Sequence, residues 1–451
     1  MALAFIFVSL ILIVAVWLLI PRLIWALPGQ LTGRLPEEVV ELVTTPLPTA
    51  LPVPAGADTS KAKEIVVPLN DPTRTEVTTT DSPPRTANPT KSTVQERSSE
   101  SPLITPSVTP TPTIQPSPTA TDFPLPRRVV IDGIGVIPQK FNNCGPANLT
   151  MVMNFHGHNR DQLEVGGAIK PNYDDRNVSP EELTRYVNDE TPLLSAWYSG
   201  GDIMILKRLL AEGFPVMVEK GLFLNDKQGW MGHYLTLYGY DDSERVFISH
   251  DTYLGPWDSS GRPIEYEILE EQWAQFNYTF VLVYSPDQEE DLVELLGPDI
   301  IVPELMWQNA ALKAREMTVR DPQNAYAWFN LGSSLTHLAE LIGDDQLFHS
   351  AAVAFDKSFT IGLPWRMLWY QFKPYVAYLA AGRIDDVLSL TQVTLTNHGG
   401  QEVEETYLYR GHALLASGEL NRARDAYNHA LRLNPIFVQA QQALDELDAL
   451  G

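Results

Sequence analysis

The 451-residue chain has a single cysteine, and its setting is where chemistry should be sought first: Gln139-Lys140-Phe141-Asn142-Asn143-Cys144-Gly145-Pro146-Ala147-Asn148. A thiol attacks as its thiolate, so it needs a local field that lowers its pKa. Proline is tolerated in a first helical turn, so Pro146 predicts a helix over 143–155. Cys144 then stands at the helix start, where unpaired N–H groups and the helix dipole favour negative charge. Gly145 is expected to keep the approach to the sulfur open. Gln139, upstream, has an amide that can donate to an oxyanion forming on an attacked carbonyl. The competing reading, a cysteine used as a small buried hydrophobe, gives no reason for that placement.

A thiolate nucleophile needs an imidazole to pass the proton to the leaving group. Among nine histidines, His233 is the best placed, in Gly232-His233-Tyr234-Leu235-Thr236-Leu237-Tyr238-Gly239-Tyr240-Asp241-Asp242. That run reads as a strand able to cross beside the helix. The imidazole in turn needs an acceptor that fixes its tautomer. The next strand-like run, Val246-Phe247-Ile248-Ser249-His250-Asp251, ends on Asp251, which an antiparallel hairpin would return to His233. Asp241 or Asp242 is the alternative acceptor and His250 the alternative base; as turn carboxylates and a neighbour of Asp251 they fit less well. His156 and His158 read as a capping or solvated pair at a helix end, with no metal site, and no cofactor is expected.

The elements that must position these residues follow from pattern. Ser179-Pro180-Glu181-Glu182 reads as a capping box opening a second helix. Residues 202–212 read as a third helix, ended by Gly213. Strands are expected at 215–218, 233–240, 245–249 and 279–284, with Asp241–Glu244 as a hairpin turn. Trp197–Gly201 reads as a surface loop, with a substrate-cleft lining as the alternative. Helices first and an antiparallel sheet afterwards make an α+β layout over 128–290.

With these motifs in place, the chain resembles the cysteine peptidase family 39-like proteins, relatives of the bacteriocin-leader peptidases in the papain-like superfamily. The matching text is Gln139-x4-Cys144-Gly145-Pro146, Gly232-His233 with the Leu-Tyr-Gly-Tyr-Asp-Asp run after it, and Ile248-Ser249-His250-Asp251. The resemblance implies a papain-like α+β fold with Cys144 as nucleophile, His233 as general base and acid, Asp251 as the orienting residue and Gln139 as oxyanion donor. One departure stands out: family members often have Asn-Asp-Pro where this chain has His250-Asp251-Thr252. No Gly-x4-Gly-Lys-Ser/Thr loop is present, so export-coupled leader cleavage is not expected.

Beyond residue 300 the pattern becomes helical and repeats. From Tyr407, the positions Gly411, Leu414, Gly418, Ala423, Tyr427, Ala430 and Pro435 have tetratricopeptide spacing. An earlier copy starts at Trp328-x-x-Leu331-Gly332 and resumes at Ala351-x-x-x-Phe355, with seven extra residues between its helices. A degraded copy spans 371–397, and 436–449 resemble a cap helix. Three copies suffice for a stacked all-α solenoid over 300–451. Trp328, Phe355, Tyr407 and Tyr427 are packing residues by position.

At the other end, residues 1–20 carry no charged side chain and are long enough in helical form to cross a hydrocarbon core. No basic residue precedes Arg22 and no small-residue cleavage step follows, so an uncleaved transmembrane anchor over 1–27 is expected rather than a signal peptide. Pro, Thr and Ser supply 42 of the 85 residues 41–125, and Phe123 is the only aromatic there. Residues 28–127 are accordingly expected to be a disordered linker. Arg22 and Arg34 favour keeping the following chain cytoplasmic; a Thr/Pro-rich stalk favours display outside a bacterial-type cell, the orientation adopted here. The net charge of −24 argues against nucleic acid or anionic lipid as the main partner.

The sequence therefore predicts a membrane-anchored thiol hydrolase that cleaves peptide or protein substrates, with the repeats recruiting a protein partner or substrate. An amidase or acyl transferase on the same fold is the first alternative. A catalytically inactive binding or scaffold protein is the second.

Overall fold

The computed structural model describes residues 50–68, 125–225, 228–397 and 399–449. The expected anchor over 1–27 lies outside them. Among the described residues no helix is long and apolar enough to cross a membrane.

The first domain is built on an antiparallel sheet. β1 (Arg128–Val130) is followed by α1 (Cys144–Phe155), α2 (Gln162–Ile169) and α3 (Pro180–Glu190). Then come β2 (Leu194–Tyr198), α4 (Ile203–Ala211), β3 (Val216–Phe223), β4 (Trp230–Asp241), β5 (Val246–His250), β6 (Arg262–Glu265), α5 (Tyr266–Ala274) and β7 (Phe280–Tyr284). The strand order is β2-β7-β3-β4-β5-β6, with β1 pairing to β4.

Alternation in the central strands sorts the two faces. Val216, Val218, Leu235, Leu237, Phe280 and Leu282 face one core, with Leu206, Leu209 and Leu210 of α4. Met217, Tyr234, Tyr238, Val281 and Val283 face the other, with Leu149 and Val152 of α1 and Leu183 and Val187 of α3. Helices thus cover both faces, which is why the strands read as nearly continuous apolar runs. Gly239 lies where β1 crosses β4; a Cβ there would come within 2.5 Å of the Val129 carbonyl oxygen.

The predicted helix starts are realised. Ser179 and Glu182 form the reciprocal capping box of α3. Asp202 caps α4 by accepting from the Ile205 N–H at 2.8 Å. The sequence pattern missed β2, because Trp197–Gly201 read as a loop. It is instead a strand end pressed on the helical region: Trp197 packs edge-on to Trp307, centroids 5.9 Å apart. A Cβ on Gly200 would lie 3.1 Å from that of Ala310. The first domain also runs past its expected end at 290. α6 (Glu289–Leu296) and α7 (Pro298–Ile301) bury Leu292, Leu296 and Ile300 in the sheet core.

The C-terminal region is helical: α8 (Pro303–Arg320), α9 (Ala325–Ile342), α10 (Asp345–Ile361), α11 (Lys373–Ala380), α12 (Ile384–Thr396), α13 (Glu404–Ala416), α14 (Leu420–Leu433) and α15 (Val438–Ala449). Consecutive helices pack on one another. Close approach depends on glycine opposite an aromatic ring. A Cβ on Gly332 would meet the Phe355 ring at 2.8 Å, and one on Gly411 the Tyr427 ring at 2.2 Å.

One expectation is overturned. Residues 50–68 fall inside the stretch read as a disordered linker, yet they form a strap bound along the helical region. Leu51, Ala62, Ile65 and Val67 are buried in the core of α8–α12. The strap's N–H groups are spoken for: Gly56 donates to Asp386 at 3.0 Å and Asp58 to Asp356 at 2.8 Å. Arg315 of α8 donates back to the carbonyls of Ile65 and Lys63. The short apolar run Ile65-Val66-Val67 is outweighed in composition by the Pro, Thr and Ser around it.

The strap touches α8, α10 and α12. The sheet domain also meets α8, and it takes α9, α13 and the turn before α11. Asn330 of α9 donates to the Ala274 carbonyl at 2.7 Å, and Asn277 donates to Ser334 at 2.9 Å. Trp230 and Phe276 of the sheet domain join the core of the helical region.

Candidate active site

α1 begins on Cys144 itself, with no side chain capping it. Gly145 is buried beneath Val178 and Tyr234; an added Cβ would sit 3.4 and 3.5 Å from them. These are ordinary van der Waals distances, so packing alone does not require glycine here.

The structure brings three of the predicted residues into one row. His233 lies on β4 and its Nε2 is 3.1 Å from Oδ1 of Asp251, both almost fully buried. Asp251 leaves the end of β5 beside β4, as the hairpin predicted; the register pairs Thr236 with His250. With Nε2 turned to Asp251, Nδ1 is the nitrogen left for the Cys144 thiol, whose influence raises the ring's pKa. Asp251 Oδ1 also accepts the N–H groups of Tyr253 and Leu254, at 2.9 and 2.8 Å.

The electrostatics follow from this row. Burial raises the Cys144 pKa, but the His233 hydrogen bond and charge, the Tyr234 N–H and the charge of Lys170 bring it below the ordinary thiol value. Burial depresses His233, yet the charge and hydrogen bond of Asp251, together with Cys144, lift it to about 9. Burial would raise Asp251; the His233 charge and hydrogen bond, the Leu254 N–H and the Lys220 charge hold it well below the usual carboxylate range. A thiol held below its ordinary value beside an imidazole raised to about 9 shifts the pair towards thiolate–imidazolium.

Gln139 lies on the loop before α1. Its N–H donates to the Thr252 carbonyl at 2.8 Å, and its Oε1 accepts the Thr252 hydroxyl at 2.9 Å. Anchoring Oε1 leaves Nε2 for another acceptor. Two residues without a predicted role tie the site together. Asn148, one turn into α1 and fully buried, donates to the carbonyls of Cys144 and Tyr234, both at 2.9 Å, and contacts the Thr252 hydroxyl at 3.2 Å. Thr236 donates to Asn148 Oδ1 at 2.7 Å. An amide on the buried face of an apolar helix was the signal for Asn148. Thr252 stands where the resemblance expects proline, and its hydroxyl is what proline lacks.

The alternatives lie elsewhere. His250 Nε2 meets the Ile134 carbonyl at 3.1 Å and its ring stacks on Tyr238. Asp242 accepts Lys207 and Tyr266, while Asp241 accepts Ser243 in the turn. His156 meets the Val283 carbonyl at 3.0 Å.

The helical region packs against the strand that carries His233. Arg366 donates to the carbonyls of Gln228 and Trp230. Tyr370 packs edge-on to Trp230, centroids 5.8 Å apart. The Arg366 contacts join residues 138 and 136 positions apart, so no local pattern marks them.

The model of the Peptidase_C39 like family matches residues 131–281, the span that contains Gln139, Cys144, His233 and Asp251. Among solved structures, a putative C39-like peptidase from Bacillus anthracis is similar at 16% identity. It covers 36% of this chain and 98% of that one, with a TM-score of 0.30. A double glycine motif protease from an AMS/PCAT transporter, solved in complex with its leader peptide, is similar at 15% identity. It covers 35% of this chain and 98% of that one, with a TM-score of 0.26. None of the curated proteins matches the chain. Residues 131–281 of this chain form a peptidase C39-like domain.

Proposed function

We propose that the protein is a cysteine peptidase in which Cys144 is the nucleophile, His233 the general base and acid, Asp251 the orienting residue and Gln139 an oxyanion donor. The observation that carries this reading is the buried His233–Asp251 hydrogen bond on the strand beside Cys144, with the thiol lowered and the imidazole raised.

The chemistry balances as follows. Sγ of the thiolate attacks the scissile carbonyl carbon, and the carbonyl electron pair moves onto oxygen. Gln139 Nε2 and the N–H groups at the start of α1 would hold that oxyanion. Collapse breaks the C–N bond, and the amine leaves with the proton from the His233 imidazolium. Water then attacks the thioester, giving its proton to His233 and releasing the acid and the thiol.

The helical region, read as tetratricopeptide-type repeats, would shape the cleft, because α9 and α13 are already taken up by the peptidase domain. Residues 1–27 would anchor the chain with its domains outside the cell; protease shaving of intact cells tests that side.

The test of catalysis is thiol labelling at neutral pH with an iodoacetamide-type reagent. Cys144 should react faster than an ordinary thiol, and His233→Ala should slow it by about tenfold or more. Equal rates in the two proteins would leave an inert thiol. Digestion of a peptide library by the wild type, absent in Cys144→Ala, completes the case.

A further inference from the structure

The register of β3 on β4 sets Lys220 directly opposite His233. Residues opposite one another on an antiparallel pair project to one face, with Cβ atoms about 4.5–5.5 Å apart. Lys220 is only 2% exposed. At the same phase along β3 the other side chains, Val216, Val218 and Leu222, are apolar and buried, so packing alone gives no reason for a lysine. Its Nζ donates to Oε1 of Gln272 on α5 at 2.8 Å. That neutral amide takes up an N–H and leaves the charge of the ammonium uncancelled.

A buried ammonium is costly unless an anion lies near it. The carboxylate whose field reaches Lys220 is Asp251, the one that also holds His233. The other charged group that faces Lys220 is Arg262 of β6, a like charge; the thiol has Lys170 as a further cation. Asp251 is thus shared between two basic side chains on neighbouring strands. With Cys144 as thiolate and His233 as imidazolium, those two residues and Asp251 carry one net negative charge in a buried place. Lys220 brings the set to zero. Burial pulls Lys220 down to about 8, against the attraction of Asp251, so it is still charged at neutral pH and below.

We propose that Lys220 is a positioning residue of the catalytic row, acting through Asp251: its ammonium is the counter-charge that lets the buried site hold thiolate, imidazolium and carboxylate together. The proposal rests on the cysteine-peptidase reading and adds a fourth charged member to it.

The test is the rate of Cys144 labelling by iodoacetamide in the full chain, followed from pH 4 to 9; the thiol is half-buried. Without the ammonium, taking the proton from the thiol leaves an uncompensated negative charge. In Lys220→Met the acidic midpoint of labelling should therefore rise by about half a pH unit or more. Lys220→Gln, neutral but still polar, should raise it as far and keeps the test open where methionine is not accommodated. Lys220→Arg keeps the charge and should stay near the wild-type midpoint. A midpoint unmoved in the neutral variants overturns the proposal. So does an equal rise in Lys220→Arg, which would make the lysine a packing and hydrogen-bonding residue only. Failure of the cysteine-peptidase reading has a separate signature: labelling whose rate does not depend on His233 at any pH.

Discussion

The ring of Tyr370, from the helical region, occupies the place where a side chain on Gly232 would go: a Cβ there would lie 2.9 Å from Tyr370 Cδ1 and 2.8 Å from Phe276 Cζ. Gly232 is the neighbour of His233. The position of the imidazole is therefore coupled to the docking of a domain that supplies neither the thiol nor its base. Gly232→Ala must push the strand or the ring aside, at a cost of about 1–3 kcal/mol for an overpacked site. We expect a lowered Tm together with slower Cys144 labelling, whereas Ala at exposed, positive-φ Gly133, where nothing lies within 4 Å, leaves labelling at the wild-type rate.

The pH profile should follow from the thiol–imidazole pair. With the thiol lowered and His233 at about 9, activity should already be present below the ordinary thiol range and fall as pH rises through about 9, where the imidazolium that protonates the leaving amine is lost. The two limbs belong to the coupled pair, not to either residue alone. Asp251→Asn removes the charge that raises His233. Burial then wins: the alkaline limb should move down and the acidic limb up, since the thiolate loses its cation. The measurement is kcat/KM from pH 5 to 10, with a rate loss on the order of a hundredfold or more near neutrality. An unshifted alkaline limb would detach Asp251 from the imidazole.

The legible part of this site was carried by local chemistry. Cys144 at a helix start, the Ser179 capping box and the β4–β5 hairpin each follow from a few adjacent residues, and each is realised. What escaped depends on contacts distant in sequence. Asn148 links to Thr252 across 104 positions, and Asn177 reaches Glu405 across 228. Gly200 and Gly201 read as a loop because what they press against, Ala310 and Trp273, comes later in the chain. The glycine–aromatic pairs 332/355 and 411/427 were legible as spacing, and the structure supplies the reason in ring contacts.

Thr252 offers a way to separate orientation from donation at the oxyanion site. Gln139→Ala removes the proposed donor, and losing one such donor costs about 10²–10³ in kcat. Thr252→Val keeps the shape and removes only the hydroxyl that fixes Gln139 Oε1. It should lower kcat by a smaller factor, about tenfold, because the amide remains but turns freely. Iodoacetamide labelling, which forms no oxyanion, should change little in either variant. If Thr252→Val matched Gln139→Ala in kcat, the hydroxyl itself would be the group that acts.

The strap 50–68 makes a claim about stability that its composition would not support. Ile65 is 7% exposed among the residues of α8–α12, and Asp58 gives its N–H to Asp356, which also takes Tyr378 and Arg383. Ile65→Val removes one methylene and should cost about 0.5–1.5 kcal/mol. Ile65→Asp places an unpaired carboxylate in that apolar site. It should detach the strap rather than stay buried, because releasing a few residues costs less than burying a lone charge. We therefore expect Ile65→Asp to lower Tm by several degrees and to open 50–68 to limited proteolysis, with Ile65→Val still protected. A strap cleaved equally fast in the wild type and both variants would mean that it does not hold the helical region together.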